Sequence, residues 1–208
     1  MVAPRAGLRR PAASLPFIGL TGGIGAGKSA ALEALERLGV ATLSADRVVH
    51  ELYDDPEVRA AVIERLGESV ESGGVVDRAA VARAAFASAE DRGWLEGILW
   101  PRVGERVAHW RQELGRCSPP PRAAVVEVPL LFEAGMEDAF DATIAVVADE
   151  QVRAQRAVAR GHHALAERSA RQLSQQEKAQ RATCVVVNDG TIDELEAKLS
   201  AILDMLLA

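Results

Sequence analysis

Short apolar runs alternate with longer stretches of helical period along most of the chain. Phe17 to Leu20 is apolar and breaks at Thr21-Gly22-Gly23, which reads as a buried strand entering a loop. Ser29 to Leu38 sets Leu32, Leu35 and Leu38 on one side of a predicted helix, with Gly39 as its stop. Val40 to Leu43 reads as a second short strand. From Ala45 to about Gly115 the pattern is mostly helical, punctuated by Pro56 and by a turn at Ser72-Gly73-Gly74. Pro101 is expected to kink or bound a helix there, and Pro119-Pro120-Pro121 ends the region. Ala123 to Val128 and Thr143 to Val147 are continuous and valine-rich, as strands covered on both faces of a parallel sheet are. Asp149 to Arg160 and Leu165 to about Arg181 are helical and strongly charged. Cys184 to Val187 is a last strand closed by Asn188-Asp189-Gly190, and Ile192 to Leu207 is an amphipathic helix. Strands alternating with helices predict a doubly wound, three-layer α/β/α fold with a parallel sheet.

The 208 residues suit one domain with a substantial core. Aromatic residues are only 4%, so that core must be built from Ala, Val, Leu and Ile. No apolar run approaches the ~18 residues of a membrane helix, so no membrane partner is expected. The net charge of -6 argues against a general nucleic-acid binder, and any anion site needs positive charge gathered locally. Cys117 and Cys184 form no C-x-x-C pair, which argues against a disulfide scaffold; Cys184 lies in an apolar run and reads as a core filler. Of 24 basic residues only Lys28, Lys178 and Lys198 are lysine, which makes each of them worth inspecting. Residues 1–16 carry arginines and three prolines but no acid, and read as a disordered tail.

The strongest chemical signal is Gly22-Gly23-Ile24-Gly25-Ala26-Gly27-Lys28-Ser29, a complete G-x-x-x-x-G-K-[ST] pattern between a predicted strand and a predicted helix. Glycines let such a loop curl until its N–H groups point inward at phosphate oxygens, and the following helix adds its positive end. Lys28 would reach the β- and γ-phosphates of ATP and Ser29 would ligate Mg²⁺, with Gly23, Gly25, Ala26, Gly27 and Ala30 completing the nucleotide-binding set. The N/T-K-x-D and D-x-x-G motifs of switch GTPases are absent, and the second strand does not end in the Asp-Glu of motor ATPases. A compact chain with a helical insert and an arginine-rich late segment favours a small-molecule kinase.

Asp46 follows the second strand, on the rim where such sheets bind ligands. A carboxylate there can take the proton of an attacking hydroxyl, and an Asp there is equally suited to cap a helix. Glu127, at a strand end, suits either a Mg²⁺-bound water or a solvated edge. Arg153, Arg156, Arg160, Arg168 and Arg171 crowd the late helical pair, as either a solvated face or a lid that clamps phosphate. His162-His163 point apart on a helix and suggest no metal site.

The segments T-G-G-I-G-A-G-K-S, A-D-R-V-V-H-E-L, V-D-R-A-A-V, V-P-L-L-F-E and the closing N-D-G resemble, in order, the dephospho-coenzyme A kinase family over residues 17–207. That family transfers the γ-phosphate of ATP to the ribose 3′-hydroxyl of dephospho-coenzyme A, the last step of coenzyme A synthesis. The resemblance implies Asp46 as catalytic base, with Lys28 and the lid residue Arg156 as its catalytic partners. It sets Arg160, Arg168, Gln172 and Lys178 on family-like positions, Asn188 near the adenine, and Pro129 to Phe132 as an apolar wall with Glu133 as a candidate acceptor contact. It also implies a helical acceptor-binding region at about 45–118, a lid at about 153–182 and a cytoplasmic enzyme with ATP and dephospho-CoA as its small-molecule partners. The chain departs from the family at Ser44, where Asp is frequent, at Trp100 before Pro101, where His is usual, at Thr183 for Asp, and at Ala30 for Thr. Trp100 leaves open a kinase for another nucleotide or nucleoside. A regulatory nucleotide-binding module is the reading from a different class, and Asp46 with the arginines speaks against it.

Overall fold

A computed structural model describes residues 15–159 and 172–208. They divide into two compact units, one running up to Ser44 and resuming at Leu114, the other Ala45–Glu113.

The first unit is built on a five-stranded, wholly parallel sheet in the order β2-β5-β1-β6-β7. Its strands are β1 (Phe17–Gly22), β2 (Ala41–Ser44), β5 (Ala124–Glu127), β6 (Ala142–Val147) and β7 (Cys184–Val187). All six residues of β1 and all four of β5 are buried, which is why these strands read as unbroken apolar runs. Helices α1 (Lys28–Arg37) and α8 (Ile192–Leu207) close one side of the sheet. Leu195, Leu199 and Leu203 recur every fourth residue of α8 and are almost fully buried with Leu35, Ile18, Val125 and Ile144. A capping box between Thr191 and Glu194 fixes where α8 begins. The same device at Ser174 and Glu177 starts α7 (Gln175–Arg181), while α6 spans Glu150–Ala159. Cys184 is a buried core residue, as its apolar setting predicts.

The second unit is helical: α2 (Ala45–Leu52), α3 (Pro56–Leu66), α4 (Arg78–Ala87) and α5 (Ala89–Leu114). Asp55 caps α3 with Pro56 in its first turn, and Asp77 caps α4. Two features differ from the sequence pattern. The turn at Gly73-Gly74 closes a small hairpin of β3 (Glu71–Ser72) and β4 (Val75–Val76). Pro101 bounds nothing, because α5 runs through it. Its ring falls one turn after Gly97, which presents no side chain, and Arg102 Nη1 donates to the Ile98 carbonyl at 3.0 Å in the turn that the proline disturbs.

Candidate active site

Between β1 and α1 the chain turns through Gly23–Gly27, with Gly25 at φ 77° and Gly27 at φ 92°. A side chain is excluded at Gly27 twice over: the backbone is left-handed, and a Cβ would stand 2.0 Å from Asn188 Nδ2. At Gly25 a Cβ would stand 2.5 Å from the Arg153 carbonyl oxygen. The loop is thus closely backed by α6 and by the end of β7. Ala31 N donates to the Gly27 carbonyl, so α1 starts directly from the loop and aims its first amides into it. Ser29 and Ala30 lie in that first turn, Ser29 exposed and Ala30 half-buried.

Lys28 curls back over the loop, donating to the carbonyls of Gly22 at 3.1 Å and Gly23 at 3.4 Å. Its Nζ is 3.8 Å from Glu127 Oε1. Glu127 is 6% exposed, so it is no solvated strand end. Register explains the meeting: Leu20 of β1 and Ser44 of β2 both stand opposite Glu127, placing its carboxylate between the phosphate loop and the end of β2. There Ser44 Oγ donates to Glu127 Oε2 at 2.8 Å. Ser44 therefore has a definite task, presenting a hydroxyl to a buried carboxylate.

Two arginines of α6 form the far wall. Arg153 Nε donates to the Ile24 carbonyl at 3.0 Å, and Arg156 Nη1 donates to the Asn188 carbonyl at 2.9 Å. Neither pairs with a carboxylate among the described residues. Asn188 Nδ2 in turn donates to the Ala26 carbonyl at 2.9 Å, and its side chain is buried. Three cations, Lys28, Arg153 and Arg156, thus surround a loop of inward-facing amides in a chain whose net charge is -6. That is the local positive site an acidic anion-binding protein requires. Beside Gly23 and Arg153 a cavity of about 590 Å³ opens, lined also by Glu150, Gln172 and Ser174.

Gly23, Gly25, Ala26, Gly27, Lys28, Ser29, Ala30, Arg156 and Asn188 are therefore brought together in the sheet unit. Asp46 is the second residue of α2, exposed, two residues beyond Ser44. It lies inside the first helical turn, two places past the position a helix cap would take. Arg160, His162, His163, Arg168 and Arg171 lie outside the described residues. Glu133 accepts from Leu173 N and pairs with Lys178. Thr183 and Thr143 exchange hydrogen bonds between hydroxyl and amide, so a hydroxyl serves at the start of β7 where the family has a carboxylate. The resemblance gave Arg153 no family-like position. The available signal was its i,i+3 spacing from Arg156, which places both on one face of α6.

A family model described as dephospho-CoA kinase matches residues 16–194. A dephospho-CoA kinase of Deinococcus radiodurans is 38% identical over 205 residues, covering 95% of this chain and 98% of that protein. A crystal structure of TT1252 from Thermus thermophilus superposes with a TM-score of 0.77 at 32% identity, covering 93% of this chain and 98% of that one. A shikimate kinase of Acinetobacter baumannii, 14% identical with a TM-score of 0.51, shares the fold alone. The chain belongs to the dephospho-CoA kinase family. It is a phosphotransferase with an alcohol acceptor, and its reaction is the ATP-dependent phosphorylation of dephospho-CoA that completes coenzyme A biosynthesis.

Proposed function

We propose that, within this family reaction, the Gly23–Ala30 loop holds the ATP phosphates, Asp46 activates the ribose 3′-hydroxyl, and Lys28 and Arg156 carry the charge of the transferring phosphoryl group. One observation carries the reading: Lys28 faces the buried Glu127 across a loop ringed by arginines that have no carboxylate partner among the described residues. Mg²⁺ fits the donors present. Ser29 and Glu127 offer hard oxygen ligands, and no cluster of three or more His, Cys, Asp or Glu occurs among the described residues. Such a set suits an ion held largely by phosphate oxygens and water, Ser29 directly and Glu127 through a water. When bound, that ion would neutralise charge on the β- and γ-oxygens.

The residues divide the work. Amides of the loop and of the first turn of α1 fix the β-phosphate. Lys28 would swing from the Gly22 and Gly23 carbonyls to the γ-phosphate, exchanging two ion–dipole contacts for a pairing of opposite charges. Asp46 would accept the 3′-hydroxyl proton as the new O–P bond forms and the bond to the β,γ-bridging oxygen breaks, leaving ADP. Arg156 sits on the Asn188 carbonyl within reach of the loop, and would turn to the equatorial oxygens of the transferring group. The helical region at about 45–118 would hold the acceptor, with Trp100 exposed on α5, and the segment at about 153–182 would act as lid, apart from α7, whose Lys178 is buried against Thr21 and Pro129. A cytoplasmic location accords with dependence on ATP. No helix among the described residues is long and apolar enough to cross a membrane.

The deciding experiment is Asp46→Asn. Loss of a general base costs ~10²–10⁴-fold in rate, so kcat for dephospho-CoA should fall by at least ~10²-fold. MgATP affinity should change by less than ~10-fold, because Asp46 is not asked to hold nucleotide. Near-wild-type turnover would remove Asp46 from the mechanism. A parallel fall in MgATP affinity would reassign it to the metal.

A further inference from the structure

Of the three lysines, Lys28 belongs to the phosphate loop, and Lys198 Nζ donates to the Val187 carbonyl at the edge of β7. Lys178, on α7, is 0% exposed and the largest fully buried side chain among the described residues. Burying an ammonium is costly unless it is paired and hydrogen-bonded, and burial does push the Lys178 pKa down from its usual value, against the pull of Glu133. The phosphate-transfer chemistry set out above gives this residue nothing to do.

Its contacts locate its task. The ladder between β1 and β5 ends where Val128 N donates to the Leu20 carbonyl at 2.9 Å. One residue further stands Pro129, which has no N–H to continue it. Two parallel strand ends would separate at this point, and they carry the two halves of the site: β1 leads into Gly22, Gly23 and Lys28, and β5 ends on Glu127. Lys178 Nζ sits in the gap. It donates to the Pro129 carbonyl at 2.7 Å, lies 3.4 Å from Thr21 Oγ1, and pairs with Glu133 Oε1 at 2.9 Å. Thr21 Oγ1 itself donates to the Pro129 carbonyl at 3.3 Å. A compact ammonium with three donors suits three acceptors converging in a closed space, where the planar fork of an arginine does not, which explains a lysine in a chain that otherwise uses arginine.

We propose that Lys178 is a positioning residue for phosphoryl transfer: with Glu133 it clasps the ends of β1 and β5 and so sets the separation of Lys28 and Glu127. The proposal rests on the roles assigned above to those two residues. Lys178 touches neither substrate and acts through the strand ends alone.

The test must separate lost alignment from lost stability. Lys178→Met alone leaves Glu133 buried and uncompensated, so it should destabilise the protein strongly. Lys178→Met/Glu133→Gln removes both charges and keeps an acceptor for Leu173 N. The double variant should regain most of the lost Tm while kcat stays ~10–10²-fold below wild type, the cost of a small misplacement of reacting groups. Because the Glu133 carboxylate is taken up by Leu173 N and Lys178, it is not counted on as an acceptor contact, and the KM for dephospho-CoA should move by less than ~3-fold while transition-state stabilisation is lost. Recovery of kcat together with Tm would overturn the proposal. Should the double variant fail to fold, Thr21→Val, which leaves the ion pair intact, takes its place; wild-type kcat in that variant would equally overturn it. Lys28→Met is assayed alongside. Full turnover in Lys28→Met would defeat the site assignment itself, whereas an inactive Lys28→Met beside a fully active double variant would defeat only the role of Lys178.

Discussion

Asn188→Ala probes whether the phosphate loop is braced from behind. Truncation removes one interaction cleanly: the side-chain amide donates to the Ala26 carbonyl at 2.9 Å, while the Asn188 backbone keeps its bonds to Val147 and Arg156. Ala26 is fully buried, so its carbonyl loses this donor in a setting that water reaches poorly. Leaving a buried acceptor unsatisfied costs ~1–3 kcal/mol. In a protein of this size each kcal/mol moves Tm by about 2–4 °C, so Tm should fall by about 2–12 °C. The loop should also lose definition, and MgATP affinity should fall on the order of 10-fold, equivalent to about 1.4 kcal/mol. Circular dichroism melts give the first number and calorimetric titration the second. Tripolyphosphate, which has no base, is titrated in parallel. If Asn188 braces the loop, both ligands weaken together; if it serves chiefly as an adenine contact, only ATP weakens and Tm holds. A Tm shift under about 1 °C with tripolyphosphate affinity unchanged would refute the brace.

Two further expectations are simpler to check. Glu127→Gln keeps an acceptor for Ser44 but removes the charge 3.8 Å from Lys28, so the Mg²⁺ concentration for half-maximal rate should rise ~10–100-fold, read by titrating MgCl₂ in a coupled ADP-release assay. An unchanged Mg²⁺ requirement would exclude Glu127 from the metal's surroundings. A thiol reagent should label only the exposed Cys117 in the folded protein and both cysteines after unfolding, because Cys184 is buried and its thiol pKa is raised by that burial. Rapid labelling of both in the folded protein would contradict the packing of β7.

What could be read from the sequence was what depends on local pattern. The valine-rich runs at 123–128 and 143–147 match β5 and β6 to within a residue at each end because both strands are covered on two faces, which leaves no polar alternation to confuse the period. The phosphate loop was legible because its chemistry dictates its spacing. The hairpin at 71–76 was missed because two-residue strands are too short to show a period, and the boundary that was one of two outcomes expected at Pro101 is absent because nothing local says that a helix will run on through its proline. At the site, the distinction between a solvated and a buried Glu127 depended on the register of three parallel strands, which no local signal carries. Asn188 was recognised by its turn and by resemblance, but its bond to Ala26 joins residues 162 positions apart. Lys178 was visible as an oddity of composition and as a family-like position, and its contacts came only with the ladder ending at Pro129.

The cations at the loop share one arrangement. Lys28 donates to the carbonyls of Gly22 and Gly23, Arg153 to that of Ile24, and Arg156 to that of Asn188. Each is oriented by a neutral acceptor of the main chain. Had carboxylates oriented them, their charge would be cancelled, and phosphate would have to displace an anion before it could bind. A carbonyl partner fixes direction at little electrostatic cost, and exchanging it for a phosphate oxygen replaces an ion–dipole contact with a pairing of opposite charges. The acids of this chain, numerous enough to leave it at -6, are placed elsewhere: on exposed helix surfaces with Arg37, Arg65 and Arg122, or, as Glu133, against Lys178 behind the loop. Glu127 is the exception, 3.8 Å from Lys28, and that spacing is too long for a hydrogen bond between them. In the proposed mechanism a metal beside the β- and γ-phosphates would meet this buried carboxylate, which gives its approach to the loop a use.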